Sequence, residues 1–248
     1  MDNTPKAIII SVNMGYGHQR TAYALKNLAI DGKIINANDY SGIPVRDKII
    51  WEAMRRFYEF ASDSKKIPVA GNLIFSIVDF FQRILSYYPV RDLSHPTPQL
   101  KMLFSLIKRG WGRDLIQKNK REDVPLIATF LTPAFMAEYF DYPGDIYCVI
   151  CDADISRVWA PLKPEESRIK YCVPNGRTAE RLACYGVKAE NIILTGYPLP
   201  QEIIGSEQKE NLKDDLRKRL FNLDPQRKFL EKYKVLVENK LGSLPEKP

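Results

Sequence analysis

The chain has little of what most often marks a site. It carries 2 histidines and 4 cysteines in 248 residues, with no internal repeat and no low-complexity tract. Repeat architectures are therefore excluded. The apolar run over 7–12 follows a polar start and is too short for a signal core, so the cysteines are expected as reduced thiols in a cytoplasmic protein. Cys148 and Cys151 have the spacing of a metal pair. An apparent strand over 146–151 would instead turn them to opposite faces about 10 Å apart, which excludes joint chelation, so they are expected as buried structural thiols and no metal site is predicted.

What is present is a 45% hydrophobic content, enough for a full core, and a net charge of +7 that favours anionic partners. The positive charge is scattered and accompanies no nucleic-acid motif, so no nucleic-acid partner is expected. The most informative stretch is 7–18, where a buried apolar strand runs into Gly15-Tyr16-Gly17-His18 at the start of a helix. Glycines there can take backbone angles closed to other residues and admit a ligand to the main chain, while the helix offers unpaired N–H groups to an anion. A dinucleotide fingerprint needs a third glycine, and Gln19, Arg20 and Thr21 stand in its place. Asp39 lies at the distance of a ribose-binding acid, but a strand-end Asp is more often a turn former or helix cap. Nucleotide binding and a plain strand-to-helix turn both remain open at this point.

Along the chain, a strand over 6–13, a helix over 17–30 with Ala22, Leu25 and Ala29 inward, a stop at Asp31-Gly32 and a strand over 33–38 give a β-α-β unit and hence a parallel sheet. Two amphipathic helices follow between 44 and 91. The first places Ile49, Ile50, Ala53, Met54, Phe57 and Ala61 on one face, with Arg46, Lys48, Arg55 and Arg56 around it. The second, over 72–88, carries an Asp79–Arg83 pair at its middle and ends at Pro89, so it does not span a bilayer. Such helices either cover the sheet or hold the protein against anionic lipid. After a linker near 94–98, a helix over 99–119 is broken by a turn at Gly110-Trp111-Gly112. Strands over 125–130, 145–151 and 168–173 resume the sheet. A helix from Asn175 to Cys184 and a strand over 191–195 complete it, and the chain is charged and helical from Ser206, with a break at Asp224-Pro225.

Three blocks in one order then point to a family: Gly15-Tyr16-Gly17-His18, Val149-Ile150-Cys151-Asp152-Ala153-Asp154, and Tyr171-Cys172-Val173-Pro174 continuing to Thr195-Gly196-Tyr197-Pro198. Together they resemble the N-terminal domain of GT-B glycosyltransferases, above all monogalactosyldiacylglycerol synthases and diacylglycerol glucosyltransferases. The likeness spans roughly residues 6–205 and is weakest between 40 and 120. It implies an α/β Rossmann-like parallel sheet with helices on both faces, an acceptor-binding domain over 1–205 with a helical insertion at about 44–120, and a helical linker over 206–248 toward a donor-binding domain in cis or on a separate subunit.

The resemblance further implies transfer of a sugar from a UDP-sugar, as substrate and with no cofactor, to a membrane lipid acceptor at an anionic surface. His18 is then the candidate base, with Asp152 beside it; Asp152 or Asp154 would orient the histidine or bind a sugar hydroxyl. Asn13, Gly15, Tyr16, Gly17, Asp154 and Tyr197 fall along the substrate cleft; the amphipathic helices, read as an apolar patch with basic edges, would set Arg55, Arg56, Phe57 and Phe81 against the membrane. An imidazole at a helix N-terminus is held neutral, as a base requires. Tyr16 stands where the family has a middle glycine, and Gln19 where it has an arginine. The alternatives are a non-catalytic membrane-docking or scaffold subunit, and a soluble nucleotide-sugar enzyme such as an epimerase.

Overall fold

A computed structural model of the chain describes residues 5–63, 84–87 and 92–242. Two compact units are present, 1–198 and 199–248. In the first, the elements are β1 (Ala7–Ser11), α1 (Tyr16–Ala24), β2 (Ala29–Asn36), α2 (Val45–Asp63), α3 (Pro98–Lys108), α4 (Arg113–Asn119), β3 (Leu126–Ala128), α5 (Leu131–Tyr139), β4 (Ile146–Val149), β5 (Lys170–Val173), α6 (Gly176–Cys184) and β6 (Ile192–Leu194). The six strands form one sheet in the order β2-β1-β3-β4-β5-β6, and every pairing is parallel. This is the expected α/β Rossmann-like architecture.

Helices cover both faces of the sheet. Ile8, Ile10 and Val12 enter the main core with Leu100, Ile107, Phe135 and Leu182, whereas Ile9 packs on the opposite side with Ala22 and Ala29. A strand buried on both faces has no polar alternation, which is why β1 reads as an unbroken apolar run. Thr97 opens α3 by accepting the Leu100 N–H at 3.2 Å, ahead of Pro98 at the first helical position. The turn expected at Gly110-Trp111-Gly112 is built around a fully buried Trp111. Trp51 lies 4.7 Å away between ring centroids, and the buried Asp47 accepts the Gly112 N–H at 3.0 Å.

Three local expectations are corrected. The first helix stops at Ala24 instead of 30, and Ala29 already belongs to β2. Asp31 and Gly32 form a bulge inside β2, with φ of 54° and 61°; the register jumps there from Ala7↔Ala29 to Ile9↔Ile34. An Asp-Gly pair supplies the left-handed conformations of a helix stop and of a bulge equally well. On α2, the inward face carries Asp47 and Trp51, with Ile50 and Met54 half-buried, while Ile49 and Phe57 remain 59% and 53% exposed. Trp51 has more apolar area to bury than any member of the expected stripe, and its contact with Trp111 sets the rotation of the helix. Of the helix expected over 72–88, only 84–87 is described, and it is not helical; the rest, with the Asp79–Arg83 pair and Phe81, lies outside the described residues.

The second unit is helical: α7 (Gln201–Ile204), α8 (Glu210–Leu223) and α9 (Lys228–Leu241). The break at Asp224-Pro225 falls between α8 and α9, where Asp224 accepts the Leu230 N–H at 2.8 Å. Among the described residues, no helix is long and apolar enough to cross a membrane.

Gly112 sits at φ 85°, and a Cβ there would lie 2.2 Å from Met136 Sδ. Gly112→Ala is expected to cost about 2 kcal/mol through left-handed strain and displacement of Met136. Urea unfolding measures it, and an unchanged midpoint would contradict this packing.

Candidate functional site

The chain runs from β1 outward to β2 and returns on the other side of β1 as β3, so the strand order reverses between β1 and β3. In open α/β sheets, ligands bind outside the C-terminal ends of the strands at such a reversal. His18 stands there. It is the third residue of α1, and its Nδ1 lies 2.8 Å from the main-chain oxygen of Thr129, the residue after β3.

That contact fixes the chemistry of the ring. A carbonyl oxygen only accepts, so Nδ1 must carry the hydrogen, and the lone pair of the neutral imidazole resides on Nε2. Burial lowers the pKa of His18 below 6.5, outweighing the Thr129 contact and the Asp152 charge, which both raise it. The N-terminal end of α1 acts in the same direction as burial. The ring packs edge-on against Phe130, with centroids 4.8 Å apart, and Trp159 completes the cluster, 6.4 Å from the His18 ring and 5.9 Å from Phe130. His18 is thus a neutral imidazole in a half-buried aromatic setting.

Gly15 precedes α1 with φ 135° and ψ 151°, a conformation essentially closed to residues with a side chain. No side chain caps the helix and no acidic residue lies in its first turn, so its first N–H groups face the crevice as an anion-binding edge. Gly17 differs from the expectation: its φ lies outside the left-handed range, and a Cβ there would meet Cys151 Sγ at an ordinary 3.6 Å. Only the first of the two glycines is needed for its backbone angles.

Cys151 also departs from its expected place. β4 ends at Val149, so Cys151 lies beyond the strand, and its Sγ is 3.1 Å from His18 Nδ1. Burial and the neighbouring Asp152 charge raise its pKa to about 12. A neutral thiol is not the nucleophile of a cysteine–histidine enzyme, which needs a thiolate paired with an imidazolium. Cys148 is fully buried, as expected.

Of the residues expected in the cleft, His18, Gly15, Gly17, Asp152 and Tyr197 come together. Asp152 stands at the rim; loss of hydration raises its pKa and the nearby His18 ring partly offsets this. No hydrogen bond joins it to the ring, and the Thr129 carbonyl occupies the orienting position. Burial raises the Tyr197 hydroxyl pKa, with Cys151, Thr21, Asp152 and Arg20 as its neighbours. The Thr21 hydroxyl is buried, with no well-formed hydrogen bond among the described residues. Tyr16 projects into solvent, 89% exposed. The main chain of Asn13 is held by the Asn38 side chain, at 2.9 Å to its N–H and 3.1 Å to its oxygen.

Asp154 is turned away from His18. Its carboxylate accepts from Arg181 Nε and Nη2, both at 3.0 Å, and from Arg177 Nε at 2.8 Å. Arg181 in turn donates to the Leu85 oxygen at 2.7 Å and lies 4.0 Å from the centre of the Tyr87 ring. These residues line a cavity of about 440 Å³ beside α6. Burial would raise the Asp154 pKa, but the hydrogen bonds from Arg181 and Ile155 outweigh it and hold the carboxyl below 3.8. Arg55 and Arg56 are exposed on α2, the former 3.6 Å from Glu59.

Thr129, Phe130, Trp159 and the Cys151–His18 contact were not legible as site features. One signal pointed to them: Pro133 lies in the first turn of α5, where proline is tolerated. A helix start there would have marked Thr129 and Phe130 as the loop between strand and helix. Compared with protein-family models, curated proteins and solved structures, the chain finds no match in any of the three.

Two expected outcomes follow from this geometry. Gly15→Ala should lower stability by about 1–3 kcal/mol, whereas Gly17→Ala should be neutral or stabilising because alanine suits a helix better; equal losses in thermal unfolding would contradict the assignment. Asp154→Asn should cost about 3 kcal/mol by leaving the buried Arg181 guanidinium without its carboxylate. Because the folded carboxyl lies below 3.8, its contribution is complete above the unfolded value and is lost as pH falls through the lower folded one. Acid unfolding of wild type and variant should therefore converge at low pH, and curves that stay parallel would contradict it.

Proposed function

We propose that the first unit is the acceptor-binding half of a glycosyltransferase that moves a sugar from a UDP-sugar to a membrane lipid, with a donor-binding domain supplied in cis or by a separate subunit. The observation that carries this reading is the 2.8 Å contact of His18 Nδ1 with the Thr129 oxygen, which leaves Nε2 as a base in the switch-point crevice. Sugar transfer with inversion needs such a base to take the proton of the acceptor hydroxyl as its oxygen attacks the anomeric carbon and the nucleotide leaves. The open N-terminus of α1 suits the negative charge of a diphosphate or of the departing nucleotide. Tyr197 and Asp152, at the rim beside His18, are placed to hold sugar or glycerol hydroxyls.

The lipid acceptor is supported by α2. Val45, Ile49 and Phe57 are exposed there, and Lys48, Arg55 and Arg56 are exposed on the same helix. Apolar groups with basic neighbours suit peripheral contact with an anionic bilayer.

The test is an assay of the gene product that contains this chain, together with its donor-binding domain, on UDP-hexoses and vesicles of diacylglycerol in anionic phospholipid. Wild type should form glycolipid, and His18→Ala should lower kcat by about 10²–10⁴-fold, the usual worth of a general base. Full activity in the variant, or no glycolipid from wild type with any UDP-hexose, would overturn the reading.

A further inference from the structure

We propose that Thr129 is the positioning residue of His18, holding it at two points: its main-chain oxygen accepts the ring Nδ1–H and its side-chain hydroxyl donates to the main-chain oxygen of the same histidine. The inference deepens the assignment of His18 as base and rests on it for its catalytic consequence. The two contacts are 2.8 Å and 3.0 Å. Thr129 is itself fully buried and continues the β1–β3 ladder, donating its N–H to the Ile10 oxygen at 3.0 Å. Its main chain is therefore fixed to the sheet where its carbonyl meets α1.

The proton count of the hydroxyl completes the chain. Thr129 Oγ1 lies 3.0 Å from the His18 oxygen and 3.2 Å from Ser11 Oγ. It has one hydrogen, which goes to the carbonyl, so the Ser11 hydroxyl is the donor in the second contact. Ser11 ends β1, Thr129 follows β3 and His18 lies in the first turn of α1, so one short run of hydrogen bonds ties together the three pieces that make the crevice. Around the ring, the titratable groups are Asp152 and Cys151, and the aromatic neighbours are Phe130, next to Thr129, and Trp159. A residue that only stabilised the fold would have no reason to engage both ends of the histidine.

Loss of the hydroxyl should release the start of α1 from Thr129, loosen the Nδ1–H contact and admit the other tautomer. The experiment is NMR of the full chain labelled with 15N-histidine, in which His95→Gln leaves His18 as the single reporter. Wild type should show the Nδ1–H tautomer at neutral pH. In Thr129→Val, which keeps the shape and the carbonyl but not the hydroxyl, the ring should shift on the carbonyl and the tautomer ratio should fall, by up to about tenfold where the Nδ1–H bond itself is lost, and the titration should move toward its ordinary value. Thr129→Ser should restore both. A folded Thr129→Val chain with an unchanged tautomer ratio and titration overturns the proposal; Thr129→Ala takes its place where valine disrupts the core, and failure of both to fold makes Thr129 a structural residue and overturns it too. These readouts do not depend on sugar transfer, so a locked tautomer in a gene product that makes no glycolipid would leave the clamp standing and sink the glycosyltransferase reading alone.

Discussion

The register of β1 against β3 is the constraint on which the site depends. Ile10 stands opposite Ala128, so the two strands end level with each other and the residues that follow must share one small space. Into that space β1 delivers a glycine at φ 135° and a histidine on the first turn of a helix, while β3 delivers a carbonyl and an aromatic ring. A shift of one residue in either strand would turn its side chains to the opposite face and part His18 from Thr129. Ile8, Ile9 and Ile10, almost wholly buried between the two layers, hold that register through the hydrophobic effect, so the geometry around His18 is a consequence of core packing.

Given that register, the electrostatics follow from burial. His18 is half-buried beside the buried Cys151, with Asp152 at the more exposed rim, and each is displaced toward its neutral form: the imidazole downward, the thiol and the carboxyl upward. The result is a site rich in hydrogen-bonding capacity but poor in fixed charge on the β4 side, facing a helix end that favours anions. Such a site suits removal of a proton from a hydroxyl beside a charged leaving group. It does not suit thiolate chemistry.

Much of the fold was legible because both faces of the sheet are buried and apolar runs separated by turn residues mark each strand. The strand-loop-helix at 7–18 was visible for the same reason, whereas the grouping of Gly15, His18, Asp152 and Tyr197 came from the resemblance of three motif blocks in one order. What local pattern could not supply was contact between distant segments. The 111-residue separation of His18 from Thr129 leaves no periodic trace, and Thr129 acts partly through its main chain, which any residue provides. The rotation of α2 was missed because counting apolar positions gives Trp51 the same weight as an alanine. Asp154 was read as a cleft residue from its motif, yet two arginines on α6 claim it, and only the folded chain brings them within 3.0 Å.

The central claim is that a neutral His18, locked with its hydrogen on Nδ1, takes the acceptor's proton. The pH dependence of kcat/KM for glycolipid formation tests it most directly, because that ratio reports the ionisations of the free enzyme. The account predicts an acid limb with a midpoint below 6.5, the ordinary histidine value from which burial lowers His18. A limb at or above that value, or a rate that does not fall in acid, would contradict it.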